Sequence, residues 1–190
     1  SHRSKECEEV AIETEKLVRE LLEVPAGYSI LFLQGGASQQ FAMVPMNLLP
    51  ENGKASYLDT GVWATKAAKE AKKVGQVEIV ASSSDKNYTY IPKDFVVPSD
   101  AAYFHYTSNN TIYGTEVFEK PNTSVTTVVD MSSDILSRTI NVSEFGLIYA
   151  GAQKNMGPAG VTLVIIKDDL FAKSGRTIPT IFDYEAHAKA

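Results

Sequence analysis

The chain has 190 residues, 44% of them hydrophobic and 22% charged, an ordinary globular composition from which one sizeable α/β core can be built. Its net charge of -5 excludes a global electrostatic case for nucleic acid or an anionic membrane surface, while leaving room for a local basic pocket around a phosphorylated small molecule. Cys7, the single cysteine, has no partner for an internal disulfide, no apolar run nears the roughly 18 residues of a membrane span, and no signal-peptide pattern is present, so the expected location is cytoplasmic.

In chain order, residues 4–24 predict an amphipathic helix, with Val10, Leu17, Val18, Leu21 and Leu22 at helical spacing and Pro25-Ala26-Gly27 ending it. The apolar run 29–33 predicts a buried strand, broken by Gly35-Gly36-Ala37-Ser38. A second helix is expected from near Ser38, facing Phe41, Ala42 and Leu48 inward, with Pro45 as a point of bending. Residues 55–58 read as a strand, 62–73 as a helix and 77–81 as a strand. Further strands are expected over 103–106, 125–129, 147–150 and 161–166. Early strands separated by helices point to crossover units on a parallel sheet. The last pair, flanking residues 151–160, is close enough in sequence to form an antiparallel hairpin. One domain is the economical reading. The ends, Ser1-His2-Arg3 without an initiating methionine and 184–190 without a terminating pattern, read as those of an internal piece of a longer protein.

Chemistry has four candidate seats. Gly35-Gly36-Ala37-Ser38, between a strand and a helix, suits either an anion held on free helix amides or an ordinary capped turn. It matches neither common nucleotide-binding glycine pattern, and both readings stand. Asp130 ends an apolar run, and ligands in open α/β sheets sit at strand carboxyl ends, although an acid there is more often a turn or cap. A carboxylate so placed is able to keep a heterocyclic nitrogen protonated. Lys154 follows a buried strand amid Gly151, Ala152, Gly157, Ala159 and Gly160, a crowded setting in which a lysine can be desolvated and form a Schiff base, although a solvent-exposed loop is the usual fate of a lysine. Trp63, the only tryptophan, is either core filler or a stacking surface for a flat ligand.

Taken together, in order, these segments resemble the phosphoserine aminotransferase family, a branch of the pyridoxal-phosphate enzymes with the aspartate-aminotransferase-like fold. The likeness runs through Ser1-His2-Arg3, Gly35-Gly36 with Gln40-Phe41, Gly61-Val62-Trp63 and Asn110-Thr111-Ile112-Tyr113-Gly114. It continues through Asp130-Met131-Ser132-Ser133, Ile135-Leu136-Ser137-Arg138 and Tyr149-Ala150-Gly151-Ala152-Gln153-Lys154-Asn155, then Gly157-Pro158-Ala159-Gly160.

The resemblance implies a three-layer α/β large domain of a fold-type-I enzyme, its mostly parallel mixed sheet flanked by helices. Residues 1–190 would form this domain, with an N-terminal segment and a small C-terminal domain lying outside it. It implies pyridoxal phosphate on Lys154, which then moves the substrate Cα proton, with Asp130 on the pyridinium nitrogen. Trp63 would stack on the ring, Thr111 would bond near its phenolic oxygen, and Ala37, Ser38 and Gln153 would contact its phosphate. His2 and Arg3 would recognise the substrate phosphate. The implied reaction exchanges the amino group of O-phospho-L-serine with 2-oxoglutarate, in serine biosynthesis and, in some bacteria, through a phosphorylated threonine analogue, in pyridoxine biosynthesis, by a homodimer with its site at the subunit interface.

One departure is Ala37-Ser38 where some relatives have Gly-Arg, so one positive charge near the phosphates is absent. The nearest rivals are another class-V enzyme, such as a cysteine desulfurase or an alanine–glyoxylate aminotransferase, and a fragment too incomplete to act. Gln153 stands where desulfurases usually have histidine, and Cys7 lies on a predicted helix rather than a flexible loop. A nucleotide-binding module would leave Asp130, Trp63 and Lys154 unexplained. His105 reads as a satisfied core histidine, Cys7 as structural, and Lys66, Lys69, Lys72 and Lys73 as a solvated helix face. His187 carries no signal, and no residue cluster has metal-ligand spacing.

Overall fold

The computed structural model describes residues 4–190. Four helices and nine strands follow one another as α1 (Lys5–Leu21), β1 (Tyr28–Leu33), α2 (Gly36–Leu48), β2 (Lys54–Asp59), α3 (Val62–Val74), β3 (Gln76–Ser82), β4 (Phe104–Thr107), β5 (Asn109–Asn110), β6 (Thr115–Glu116), β7 (Thr127–Asp130), β8 (Leu147–Gly151), β9 (Thr162–Lys167) and α4 (Tyr184–Ala188). Seven strands form one sheet in the order β1-β9-β8-β7-β4-β2-β3, and β5 and β6 make a separate small hairpin.

The pairings fix the direction of every strand. β2, β3, β4, β7 and β8 run parallel, and β9 is antiparallel to both β8 and β1. Hence β1 points the same way as β8, and β9 alone runs backwards. The expected mixed, mostly parallel sheet is therefore present, with the hairpin flanking residues 151–160. Because six of the seven strands share a direction, their carboxyl ends, and the loops that follow them, gather along one edge.

Side chains alternate across the sheet. One face buries Leu31, Leu33, Tyr57, Tyr103, Val128, Tyr149 and Val164 against Phe41, Met43, Val44 and Leu48 of α2 and Ala67, Ala68 and Ala71 of α3. The opposite face buries Ile30, Leu58, Phe104, Tyr106, Val129, Ile148 and Ile165 with Val18 and Leu22 from the end of α1. Each such aliphatic side chain stabilises the fold by about 1.5–3 kcal/mol relative to exposure. The alanines of α3 let it lie close to the sheet, while its last-turn Lys72 and Lys73 favour the negative end of its dipole.

Two distant residues tie the end of the chain to this layer. Arg176 donates to the Leu49 carbonyl at 2.7 Å and the Val74 carbonyl at 3.1 Å, satisfying the carboxyl ends of α2 and α3 together. Tyr184 donates its hydroxyl to Gln40 Oε1 at 2.6 Å, and its backbone N–H donates to Asn47 Oδ1 at 3.1 Å. Both buried polar side chains of α2, Gln40 and Asn47, are thereby satisfied in the core.

The first helix differs from its sequence reading. Val10, Leu17 and Leu21 are 65%, 44% and 67% exposed, and only Val18 and Leu22 reach the sheet. The helix touches the core only near its carboxyl end, so its apolar stripe extends beyond the surface available to cover it. Cys7 is likewise exposed, not a packed structural residue. The second helix begins at Gly36, two residues before the expected start, because Gly35 takes a left-handed turn at φ 90°.

Candidate active site

The carboxyl edge of the sheet collects the residues that the sequence had spread over more than a hundred positions. Ala37 and Ser38 lie in the first turn of α2, where backbone N–H groups have no partner within the helix. Trp63 lies in the first turn of α3, directly after β2. Asp130 is the last residue of β7, and Gln153 and Lys154 follow the end of β8. The Lys154 ammonium stands 5.3 Å from the centre of the Trp63 ring. Lys66 places a second ammonium 4.7 Å from that ring, so a lysine read as solvated-face decoration belongs to the surroundings of Trp63.

Asp130 is the most confined of these groups, only 4% exposed. One of its oxygens, Oδ1, accepts the Ser132 hydroxyl at 2.6 Å and the Ser132 backbone N–H at 3.0 Å. Oδ2 has no hydrogen-bond partner among the described residues. Burial pushes the carboxyl above the usual carboxylate range, and the Ser132 donors and the Lys154 charge oppose that push. Across the sheet Asp130 pairs with Thr107 on one side and Tyr149 on the other.

The tryptophan is anchored from several directions. Asp59, ending β2, accepts from Thr65 of α3 at 2.7 Å and from Ser82 of β3 at 2.9 Å. Gly61 caps α3 so close to Asn110 that an added Cβ would meet the Asn110 Cγ at 2.9 Å. Asn110 in turn donates to Thr60 Oγ1 at 3.0 Å, which joins the β5–β6 hairpin to the connection carrying Trp63. Thr111 is the next residue of that hairpin and is exposed at its tip. Proximity through Asn110, rather than a direct contact with Trp63 or Lys154, is what links Thr111 to the site.

Lys154, Gln153 and Ser38 are exposed. The desolvated setting expected for Lys154 is not present among the described residues, because residues 153–155 and 157–160 of the glycine-rich loop are themselves exposed. His2 and Arg3 lie outside the described residues. His105 is buried in mid-strand, as expected of a core histidine, but it is only half satisfied: its Nε2 lies 2.8 Å from the Tyr149 hydroxyl while its Nδ1 has no partner among the described residues. A cavity of about 450 Å³ lined by Lys120, Ser143, Lys167 and Lys173 lies at the opposite, amino edge and contains none of the candidate residues.

Sequence reasoning missed Ser132, Asp59 and Asn110. Ser132 carried a usable signal: a serine two residues beyond a strand-ending aspartate is the spacing at which the carboxylate folds back on the chain. Asn110 gave none, since its partner Thr60 is 50 residues distant, and Asp59 joins Thr65 six residues on to Ser82, which is 23 residues distant.

An acid at a strand end and a lysine facing a tryptophan thus share the carboxyl edge of the sheet. The model of the aminotransferase class-V family matches residues 1–181. The chain belongs to the class-V aminotransferase family. It is 59% identical over 191 aligned residues to the phosphoserine aminotransferase of Flavobacterium johnsoniae, covering 100% of this chain and 54% of the relative. The structure of phosphoserine aminotransferase from Bacillus circulans subsp. alkalophilus matches with a TM-score of 0.94 at 49% identity, covering 100% of this chain and 53% of that one. That of the pyridoxal-phosphate-bound enzyme from Trichomonas vaginalis matches with a TM-score of 0.92 at 38% identity, over 100% of this chain and 57% of that one. The fold is thus that of the fold-type-I aminotransferases. The chain spans about half the length of the curated relatives it matches.

The residues present fit the cofactor that such relatives bind. Pyridoxal phosphate needs a carboxylate for its ring nitrogen, an amine for its aldehyde carbon, a flat face and an anion seat. Asp130 Oδ2, Lys154 Nζ, the Trp63 ring and the first turn of α2 are groups of these kinds, and they lie along one sheet edge. Two buried polar atoms at that edge, Trp63 Nε1 and Thr107 Oγ1, also have no partner among the described residues.

Proposed function

We propose that this chain is the cofactor-binding large domain of a phosphoserine aminotransferase, which exchanges the amino group of O-phospho-L-serine with the keto oxygen of 2-oxoglutarate, giving 3-phosphonooxypyruvate and L-glutamate. The observation that carries the reading is Lys154 facing the Trp63 ring beside a buried, half-satisfied Asp130. Relatives named for this activity at 54–59% identity support the choice of substrate. A role in serine biosynthesis follows from that reaction, and use of a phosphorylated threonine analogue would extend it to pyridoxine biosynthesis.

When bound, pyridoxal phosphate supplies an electron sink for the electron pair of the substrate Cα–H bond. Everything else falls to side chains. Lys154 Nζ would hold the cofactor and, once released from it, would serve as the base that carries the proton taken from the substrate Cα. Asp130 Oδ2 keeps the ring nitrogen protonated, which a carboxylate does only while it is itself ionised. Trp63 fixes the ring plane. The α2 amides with Ser38 bind the cofactor phosphate, joined by Gln153 from the lysine loop, and Ala37 leaves the backbone accessible. Thr111 bonds the ring's phenolic oxygen. His2 and Arg3 grip the phosphate of the substrate.

The exposure of Lys154, Gln153, Ser38 and Thr111 is consistent with closure from elsewhere, by a small C-terminal domain and a second subunit of a cytoplasmic homodimer. The test is to add pyridoxal phosphate, reduce with borohydride, digest, and map the modified lysine by mass spectrometry. A label concentrated on Lys154 is the expected result. Labels scattered over Lys66, Lys69, Lys72 and other surface lysines would overturn the reading.

A further inference from the structure

Ser132 holds two parts of the edge at once. Its Oγ donates to Asp130 Oδ1 at 2.6 Å while accepting the Gly151 N–H at 3.0 Å. Its own backbone N–H gives that carboxylate oxygen a second donor at 3.0 Å. Gly151 ends β8 and leads directly into the loop of Gln153 and Lys154. A second tie joins the same two segments, since Asn155 Nδ2 donates to the Ile135 carbonyl at 2.6 Å. Ser132 is itself buried, with 9% of its surface exposed, so its hydroxyl has little water to fall back on.

Resting on the function proposed above, we propose that Ser132 is a positioning residue: one hydroxyl clamps Asp130 Oδ1 to the root of the Lys154 loop, which turns Oδ2 toward the cofactor's ring nitrogen. The bond directions require this division of labour. A hydroxyl has one proton to give and lone pairs to receive, so Ser132 serves the carboxylate as a donor and Gly151 as an acceptor without competition. Alanine removes both bonds, leaving the Gly151 N–H without its acceptor and Asp130 with a single donor.

The charge balance around Asp130 makes the loss measurable. Burial pushes its carboxyl up, Asp134 pushes it further, and Ser132 and Lys154 pull it down. Tyr149 faces it from β8, and Tyr149 is bonded to His105, which burial keeps neutral and which therefore offers no compensating charge. Lys154 stands at an exposed position, whereas the Ser132 donors are buried against the carboxylate and are the lasting part of the support.

The experiment uses the full-length protein, with aspartate ¹³C-labelled at the carboxyl and Asp130 assigned by the signal missing in Asp130→Asn. In the cofactor-free state, Ser132→Ala should move the Asp130 titration up by about one pH unit, a tenfold change in proton affinity. The same variant should bind pyridoxal phosphate about tenfold more weakly, and Ser132→Thr, which keeps the hydroxyl, should restore both values. An unchanged Asp130 titration in Ser132→Ala would overturn the proposal, even if the variant melts at a lower temperature, because a merely structural serine affects only stability. Borohydride labelling of the parent protein separates the two claims. A labelled Lys154 with an unmoved Asp130 sinks the Ser132 role alone, and an unlabelled Lys154 sinks the functional reading beneath it.

Discussion

Asp130 and His105 lie on the same face of the sheet, in adjacent strands, and both are buried, yet the fold treats them in opposite ways. Asp130 stands at the carboxyl edge, where burial raises its carboxyl but two Ser132 donors and the Lys154 charge work to keep it ionised. His105 sits in mid-strand, stacked on Tyr57 with ring centres 4.7 Å apart, and burial pushes it down to about 3 with nothing opposing. Its Nδ1 has no partner among the described residues. Burial alone therefore neutralises a group. A charge survives in a core only where donors have been placed to meet it, and here they have been placed at one row of the sheet and not at the row beneath.

The most severe way to break the edge is to remove its amine. In the full-length protein, Lys154→Ala should lower transamination at least about a thousandfold, since both the covalent anchor and the proton carrier disappear. Steady-state turnover within tenfold of the parent would show that the chemistry lies elsewhere.

Asp130→Asn separates function from stability. Activity should fall by about a hundredfold or more, because an amide cannot hold the ring nitrogen protonated. The cofactor-free protein should nevertheless become more stable at pH 7. Asp130 is raised in the folded state, so its folding contribution is most favourable below the ordinary carboxylate range and is lost as pH rises through the folded value. Asparagine removes that loss while Oδ1 still accepts from Ser132. A thermal midpoint a few degrees higher at pH 7, with the gain shrinking toward pH 4, is the expected result. A lower midpoint at both pH values would mean that the buried charge stabilises the empty protein.

How much of this was legible in the sequence follows the same division. All seven strands of the main sheet were visible as apolar or β-branched runs, each displaced by no more than two residues; burial on both faces leaves a strong signal in inner strands such as β4, β7 and β8, and even the edge strand β3, with no fully buried residue, kept an apolar run. The β5–β6 hairpin was not, since strands of two residues, Asn109–Asn110 and Thr115–Glu116, have no period to read. Periodicity also overstated α1, where an apolar stripe through Val10, Leu17 and Leu21 says nothing about whether a surface is there to receive it. The site residues were named from resemblance and from their places at strand ends. What could not be read was their support: Ser132 bridging two strand ends, Asn110 reaching Thr60, and Lys154 meeting Trp63 depend on strand order. The openness around Lys154 was equally hidden, because small residues predict close packing only if something packs against them.

The mildest prediction tests the row beneath the edge. His105 does not face the cofactor side of Asp130, so His105→Gln should leave turnover within about threefold of the parent while altering acid stability. The folded pKa of about 3 lies below the unfolded value near 6.5, so the unfolded chain binds the proton first. The parent therefore loses stability from this residue as pH falls from about 6.5 toward 3, by up to about 1.4 kcal/mol per unit. At pH 7 the variant should be the weaker protein by about 1–3 kcal/mol, because the buried Tyr149 hydroxyl loses a well-placed partner. Urea midpoints measured at pH 7, 5 and 4 should then show the two proteins converging in acid. Parallel curves would mean that His105 is not held neutral, and that the contrast between the two rows of the sheet is weaker than their burial implies.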